Sequence, residues 1–413
     1  MSPTVQSIFQ DRFDTYLKAH PQPLHKIKAA RSIMRCRTEA LGGHVQRCPH
    51  GHVEKVWYNS CKHPSCPKCT ALASERWLEK VKSKLLACDH YHAIFTLPHQ
   101  LHDLWWHNNA LMANLLFQAA IATLKELLGD DKYLGALPGM LACLHTWGRN
   151  LSKHPHLHVL ITGGGWTGKQ WKAIDNGYLL PFEVVRELFA GKYIAALRKA
   201  RQQGKLQLPS NLTARQLQAL LNKLAADVKW NVHIRERYAH GEGVVQYLAD
   251  YLQGGPVNNG QIEKNTEQNT TKQIILSYTD HRDHKRKNLA FTPQHFIQRL
   301  LWHIPEPRQQ RARYYGLYHP KKEPIRAECR ERLGQEPEQE PEFLDWQSYL
   351  ERIGRPQQTC CPECGARLIT TEIVAPERGP PPVMLRPGCA DPLALPPDPQ
   401  LPLPLPLPLP KAA

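Results

Sequence analysis

The alternation of apolar and polar positions changes period repeatedly along this chain, and each change marks an element. Ile8, Phe9, Phe13, Tyr16 and Leu17 recur at helical spacing, so 5–34 reads as one or two helices broken at Pro21 and Pro23. Leu78, Val81, Leu85 and Leu86 give 72–86 an apolar side, and 101–128 is long, apolar and rich in helix formers. Further helical periods run through 181–202, 213–226, 243–252 and 293–303. Strand-like stretches lie between them: 91–97, which stops at Pro98, then 139–147 and 156–162 around a polar turn at 148–153. Two more, 273–278 and 288–291, flank the polar turn 280–287, and 229–236 alternates like a strand. The polar stretch 254–272 is expected to be a loop. Strands joined by short polar turns pair as hairpins, so the pattern predicts an α+β fold with an antiparallel sheet, not a doubly wound one. From Ala375 the periodicity stops and the chain becomes proline-rich, closing on repeated Leu-Pro. Such sequence favours extended polyproline geometry and buries no core, so 375–413 is expected to be a disordered tail.

The chain has 413 residues, room for about two or three domains. Its net charge of +16 points to a polyanionic partner, most simply nucleic acid. No run of about 18 or more apolar residues predicts a transmembrane helix. The first ten residues lack a basic segment followed by an apolar core, so a cytoplasmic protein is expected. Disulfides are rare in that compartment, which makes the twelve cysteines metal ligands or buried thiols.

Their clustering favours metal. Cys61, Cys66 and Cys69 form a dense group, and Cys48 stands upstream with His50 and His52. Zinc takes four tetrahedral sulfur or nitrogen ligands, often in pairs separated by two residues. Cys66 and Cys69 have that spacing, Cys48 with His50 or His52 offers the other half, and Cys61 offers a further ligand. Cys36, His44 and His63 are surplus, so there is room for two zinc ions. Lys55, Lys62 and Lys68 add charge suited to nucleic acid. A second knuckle, Cys361-Pro362-Glu363-Cys364-Gly365, offers two ligands, with Cys329, Cys360, Cys389 and His319 as available partners.

In His154-Pro155-His156-Leu157-His158 the last two histidines share one face of a strand, about 7 Å apart along its axis. With 22 histidines in the chain such pairs also arise by chance, and His50/His52 and His90/His92 are others. Context separates this one: it opens an apolar strand that ends in Gly163 to Gly165. Two imidazoles so placed suit a divalent metal. Tyr247 and Tyr251 share a face if their segment is helical, where they serve either core packing or nucleophilic chemistry.

Taken in order, these motifs resemble a known family. Cys36-Arg37-Thr38-Glu39-Ala40-Leu41-Gly42-Gly43-His44, Asn59-Ser60-Cys61 and Cys66-Pro67-Lys68-Cys69 resemble the N-terminal zinc-binding domain of rolling-circle insertion-sequence transposases. Phe95-Thr96-Leu97-Pro98 is similar to their first catalytic strand. Leu144-His145-Thr146-Trp147-Gly148 with His156-Leu157-His158 is similar to their HUH motif, in which a bulky apolar residue separates two histidines. Tyr247 and Tyr251 match the paired tyrosines of the two-tyrosine subgroup, and Arg313-Tyr314-Tyr315-Gly316-Leu317 resembles another family segment. The likeness covers roughly residues 8–365, with one departure: His50 and His52 stand where the family usually has a second cysteine soon after Cys48.

The resemblance implies a helical and zinc-binding DNA-binding domain over 1–88 and an HUH endonuclease domain with an RRM-like or ferredoxin-like core over 89–305. A region with a second knuckle over 306–374 and the tail 375–413 would follow. It implies metal-dependent cleavage and transfer of single-stranded DNA through a 5′-phosphotyrosine on Tyr247 or Tyr251. Mg2+ or Mn2+ would sit on His156 and His158, and structural Zn2+ on the cysteine clusters. His145 is the candidate third ligand, because a hairpin turning over 148–153 sets it across from the HUH strand; a structural role is its other reading. Partners would be single-stranded DNA at element ends and target DNA, with a nucleoid-associated location and no membrane. A homodimer and host replication factors are compatible with this. A plasmid rolling-circle initiator or relaxase shares the chemistry, and a non-catalytic zinc-finger protein would explain the charge and cysteines alone.

Overall fold

The sharpest local element is the turn at 148–153. Gly148 N–H donates to Ser152 O (3.0 Å), Leu151 N–H to Gly148 O (2.9 Å), and Ser152 N–H to Asn150 Oδ1 (3.1 Å). This network reverses the chain between two long strands, as the polar break predicts. A computed structural model describes residues 3–226, 229–238, 243, 245–246, 248–249, 255–263, 273–280, 283–354 and 359–377.

In chain order, α1 (Val5–Ala19) and α2 (Leu24–Arg35) precede a hairpin of β1 (Gly43–Arg47) and β2 (Glu54–Tyr58), then α3 (Thr70–Lys82). Next come β3 (His90–Thr96), α4 (His102–His107), α5 (Asn109–Gly129), β4 (Leu137–Trp147), β5 (Lys153–Trp166) and β6 (Trp171–Ala173). They are followed by α6 (Phe182–Gln202), α7 (Ala214–Ala226), β7 (Asn231–Tyr238), β8 (Ile262–Glu263), β9 (Ile274–Thr279) and β10 (Arg286–Phe291). A helix over Pro293–Trp302, β11 (Ala312–Gly316), helices over Glu323–Arg332 and Trp346–Arg352, and β12 (Ile369–Val374) follow.

The central sheet runs β11-β4-β5-β3-β7, with β6 paired to β5, and its ladders are antiparallel. This is the mixed α+β architecture that the sequence predicts. Alternation sorts its side chains. Met140, Ala142, Leu144, Leu157, Val159 and Ile161 face one side, where α5 and α6 cover them; Phe95 meets Phe189 edge-on at 4.9 Å. Leu141, Cys143 and Leu160 face the other side, with Leu78 and Val81 of α3 and Cys329 of the 323–332 helix. Each buried Val, Leu, Ile, Met or Phe side chain here contributes about 1.5–3 kcal/mol. The α1–α2 pair shares a separate core with β9, β10 and the 293–302 helix, where Phe9 and Phe13 lie with Phe291 and Phe296.

Two expectations are revised. The run 101–128 is two helices, because Asn108 turns away from helical geometry: its amide donates to Leu104 O (3.0 Å) and Gln207 O (2.7 Å). Part of 254–272 is not loop, since β8 pairs with β9. The helix α5 has the length and composition to cross a membrane, but Met112, Leu116, Ala120 and Leu124 bury it in the core.

Of the two three-stranded sheets, one runs β10-β9-β8, and the other joins distant parts of the chain. Its order is β12-β1-β2, and β12 pairs antiparallel with β1 from Gly43↔Val374 to Arg47↔Ile369. Gly42 permits the approach: its φ is +63°, and a Cβ there would lie 2.4 Å from Val374 O.

Candidate functional site

Cross-strand register builds the histidine group. His145 of β4 pairs with His156 of β5, and Cys143 with His158, so all three imidazoles stand on the sheet face opposite α5 and α6. Their ring centroids are 4.3 Å (145–158), 4.8 Å (156–158) and 5.3 Å (145–156) apart, and one ring nitrogen from each lies within 4.8 Å of the others. All three side chains are buried. The spacing of about 7 Å along the strand therefore closes up as the rings lean together.

Hydrogen bonds fix which nitrogen faces the group. His156 Nδ1–H donates to His154 O (2.6 Å), which leaves Nε2 with its lone pair. His158 Nδ1 is bonded to His92 Nε2 at 2.8 Å, from the neighbouring strand β3. His154 lies beside His156, 4.8 Å between rings, but outside the triad. Burial holds His156 well below its ordinary pKa, helped by the neighbouring His154 and His145. Burial likewise pushes His145 down to about 3, and Arg311 acts in the same direction. Neutral imidazole is the form that binds a metal ion. Three nitrogen donors on one side leave the other positions of a divalent ion for water or phosphate oxygen, so the residues fit such an ion.

At the start of β5, the strand that carries His156 and His158, lies a basic aromatic edge that sequence reasoning missed. Lys153 Nζ sits 4.4 Å above the Trp302 ring and 5.3 Å from that of Trp106, and the two indoles are 6.2 Å apart. Burial lowers the Lys153 pKa to about 8, against the opposing pull of Asp103. No spacing in the sequence marks it, because the contacts join residues far apart in the chain.

Tyr247 and Tyr251 lie outside the described residues. Their chain neighbours Val245, Leu248 and Ala249 are described as helical, and they join the buried cluster of Leu141, Cys143 and Leu160. That cluster occupies the same sheet face as the three histidines.

The thiols sort into two groups. Cys36 at the end of α2, Cys61, Cys66, and Cys69 at the start of α3 bring four sulfurs within 4.8 Å of one another. Cys69 Sγ is 3.2 Å from Cys36 Sγ and 3.6 Å from Cys61 Sγ. Neighbouring thiols donating to Cys69 hold it well below an ordinary thiol, and Cys36 falls to about 7 for the same reason. Sulfurs arranged tetrahedrally around zinc stand about 3.8 Å apart, so the group fits that ion. The sequence reading paired Cys66 and Cys69 with Cys48 and a histidine; in the structure Cys36 completes this group instead. Cys48, His50 and His52 lie with Cys364, and Cys361 is adjacent. Spacing rules favour near neighbours, whereas Cys36 is 33 positions from Cys69. Among the other candidates, His63 Nδ1 accepts from Ser65 N–H (3.1 Å) and His319 Nδ1 from Lys321 N–H (3.2 Å). His44, Cys329 and Cys360 join neither group among the described residues, and Cys389 lies outside them.

Together these features define a class: a basic α+β protein with a thiol metal module ahead of an antiparallel sheet bearing a buried histidine site. Residues 8–97 match a family model described as a transposase zinc-binding domain, and residues 139–324 one described as "Putative transposase". The chain is 34% identical over 394 residues to "Putative transposase y4qJ" of Sinorhizobium fredii (strain NBRC 101917 / NGR234), spanning 92% of this chain and 97% of that one. It is 25% identical over 300 residues to the transposase for insertion sequence element IS801 of Pseudomonas savastanoi pv. phaseolicola, spanning 71% and 70%. No solved structure matches. The chain belongs to this family of insertion-sequence transposases and carries its zinc-binding domain.

Proposed function

We propose that this transposase cuts and rejoins single-stranded DNA in rolling-circle transposition. The observation that carries the reading is the buried triad of His145, His156 and His158 on one sheet face. A bound Mg2+ or Mn2+ ion supplies polarisation of the scissile phosphate and charge stabilisation in the transition state. The phenol of Tyr247 or Tyr251 is the nucleophile: its oxygen forms the bond to phosphorus, the bond from phosphorus to the 3′ oxygen breaks, and that oxygen leaves as a 3′-OH. The phenolic proton is lost on attack and a proton is gained by the leaving oxygen, so the step is balanced without a co-reactant. The 5′-phosphotyrosine link retains the bond energy, and a 3′-OH attacking it rejoins the strand without ATP. With two tyrosines, one holds the first cut end while the other cuts again.

Val245, Leu248 and Ala249 support this placement, because they anchor the tyrosine segment on the histidine face. Trp106, Lys153 and Trp302 offer a stacking and phosphate-binding edge for single-stranded DNA at element ends and targets. Cys36, Cys61, Cys66 and Cys69 would hold one structural Zn2+. A replication initiator or relaxase would share the cleavage chemistry, but the zinc-binding domain and the transposase match favour transposition.

The test uses single-stranded DNA carrying an element end. Changing both Tyr247 and Tyr251 to Phe is expected to abolish the covalent protein–DNA adduct on denaturing gels; a persisting adduct rejects the nucleophile assignment. His156→Ala is expected to remove metal-dependent cleavage and leave zinc content unchanged, and loss of zinc in that variant would show that the two kinds of site have been confused.

A further inference from the structure

We infer that Cys48, His52, Cys361 and Cys364 hold a second structural zinc ion, which pins strand β12 to the N-terminal β1–β2 hairpin. This does not rest on the cleavage mechanism, and the C-terminal half of the site lies outside both regions that match family models.

The first support is that two like turns face each other. Each opens with Cys-Pro. Cys48 N–H donates to Val53 O and Cys361 N–H to Ala366 O, both at 2.8 Å and both to the fifth residue on. Each turn contains a glycine in left-handed conformation, Gly51 at φ 79° and Gly365 at φ 71°. Each of these glycine N–H groups donates back to the carbonyl of the opening cysteine, both at 2.9 Å. The frame leaves the cysteine side chains inside the turn, and His50 N–H donates to Cys48 Sγ at 3.4 Å, the kind of bond that steadies a thiolate ligand.

The second support is convergence across the chain. Cys48 Sγ lies 3.5 Å from Cys364 Sγ and 3.7 Å from His52 Nδ1, and Cys361 Sγ lies 3.9 Å from the same nitrogen. These are the separations of donors around one tetrahedral ion. His50 and His52 both lie within 4.8 Å of Cys48 and Cys364; His52 is assigned as the fourth ligand because it also meets Cys361, whereas the short His50 contact is to Cys364, at 3.4 Å. The histidine thus supplies what a second cysteine would have supplied in the N-terminal turn.

The third support is that little else holds β12. Its side chains are largely exposed, with Ile369 at 51% and Ile373 at 84%, and among the described residues the buried cluster at this end is Cys48, Cys361 and Leu368. A core this small needs a staple to hold a strand.

The experiment measures zinc per chain in the full-length protein, with hydrogen exchange in β1 and β12. Cys48→Ser and the double change Cys361→Ser with Cys364→Ser are each expected to lose one equivalent relative to the unaltered chain. Their combination is expected to lose the same single equivalent, and β12 amides are expected to lose protection in all three. Undiminished zinc, or losses that add to two equivalents, overturns the shared site. Should the serine variants not fold, His52→Ala carries the same expectation, and His50→Ala is expected to keep the ion; the reverse result overturns the choice of His52. Cys69→Ser reports on the four-cysteine group by itself. Zinc lost through Cys364 but not through Cys69 removes that other assignment and leaves this one standing.

Discussion

Replacing His92 with alanine tests whether the histidine triad is a metal site whose ligands are oriented from outside. His92 Nε2 meets His158 Nδ1 at 2.8 Å, the rings stack at 5.0 Å, and both side chains are buried. This bond sets the rotation of the His158 ring and leaves its other nitrogen aimed at the triad. Loss of such an outer partner weakens metal binding about 10–100-fold, or about 1.4–2.7 kcal/mol. The assay is Mn2+-dependent cleavage of single-stranded DNA, titrated with metal. The half-saturating Mn2+ concentration is expected to rise by that factor, while the rate at saturating metal recovers. His92→Gln, whose amide can still accept from His158 Nδ1–H, is expected to fall between the two. An unchanged midpoint with a lowered plateau would refute the reasoning, because His92 would then act on the reaction and not on the ligand.

Lys153→Ala is expected to weaken binding to single-stranded DNA and to flatten its salt dependence, as measured by fluorescence anisotropy across a salt series; an unchanged slope would remove Lys153 from the interface. Burial pushes the His303 pKa down to about 3, against about 6.5 in an unfolded chain. The unfolded state then binds protons more strongly, so this histidine's effect is absent above about pH 6.5 and costs stability as pH falls toward 3. At pH 5 the cost is about 2 kcal/mol, so between pH 7 and 5 His303→Gln should lose about that much less stability than the unaltered chain in denaturant melts. Parallel losses would show that His303 does not titrate as described. Gly42→Ala forces a strained φ and a clash with Val374 O, and is expected to raise exchange in β12 selectively and cost about 1–2 kcal/mol.

The central hairpin was readable because a polar turn separates two runs of apolar alternation, and its register alone sets His145 across from His156. The helical periods of α1, α2, α3, α6 and α7 were readable for the same reason. What escaped were relations across long stretches of chain. His90-x-His92 had the look of a chance pair, yet strand order places His92 against His158. Cys36 had no partner at a recognisable spacing. Strand β12 carries almost no buried face, so no alternation marks it, and backbone pairing with β1 defines it instead. The departure at His50 and His52 was visible in the sequence, but its meaning depends on residues brought beside it by that pairing.

The β12–β1 ladder also has a consequence in time. Cys48 and Cys364 are 316 positions apart, so at about 5–20 residues per second the ribosome completes β1 roughly 15–60 s before β12 exists to cover it. Through that interval one edge of β1 is an unpaired strand, open to any extended segment that reaches it. The nascent N-terminal module must wait for the last described strand of its own chain. A truncated product would keep the four-cysteine group and the histidine hairpin, yet present a bare edge where the finished protein has a strand.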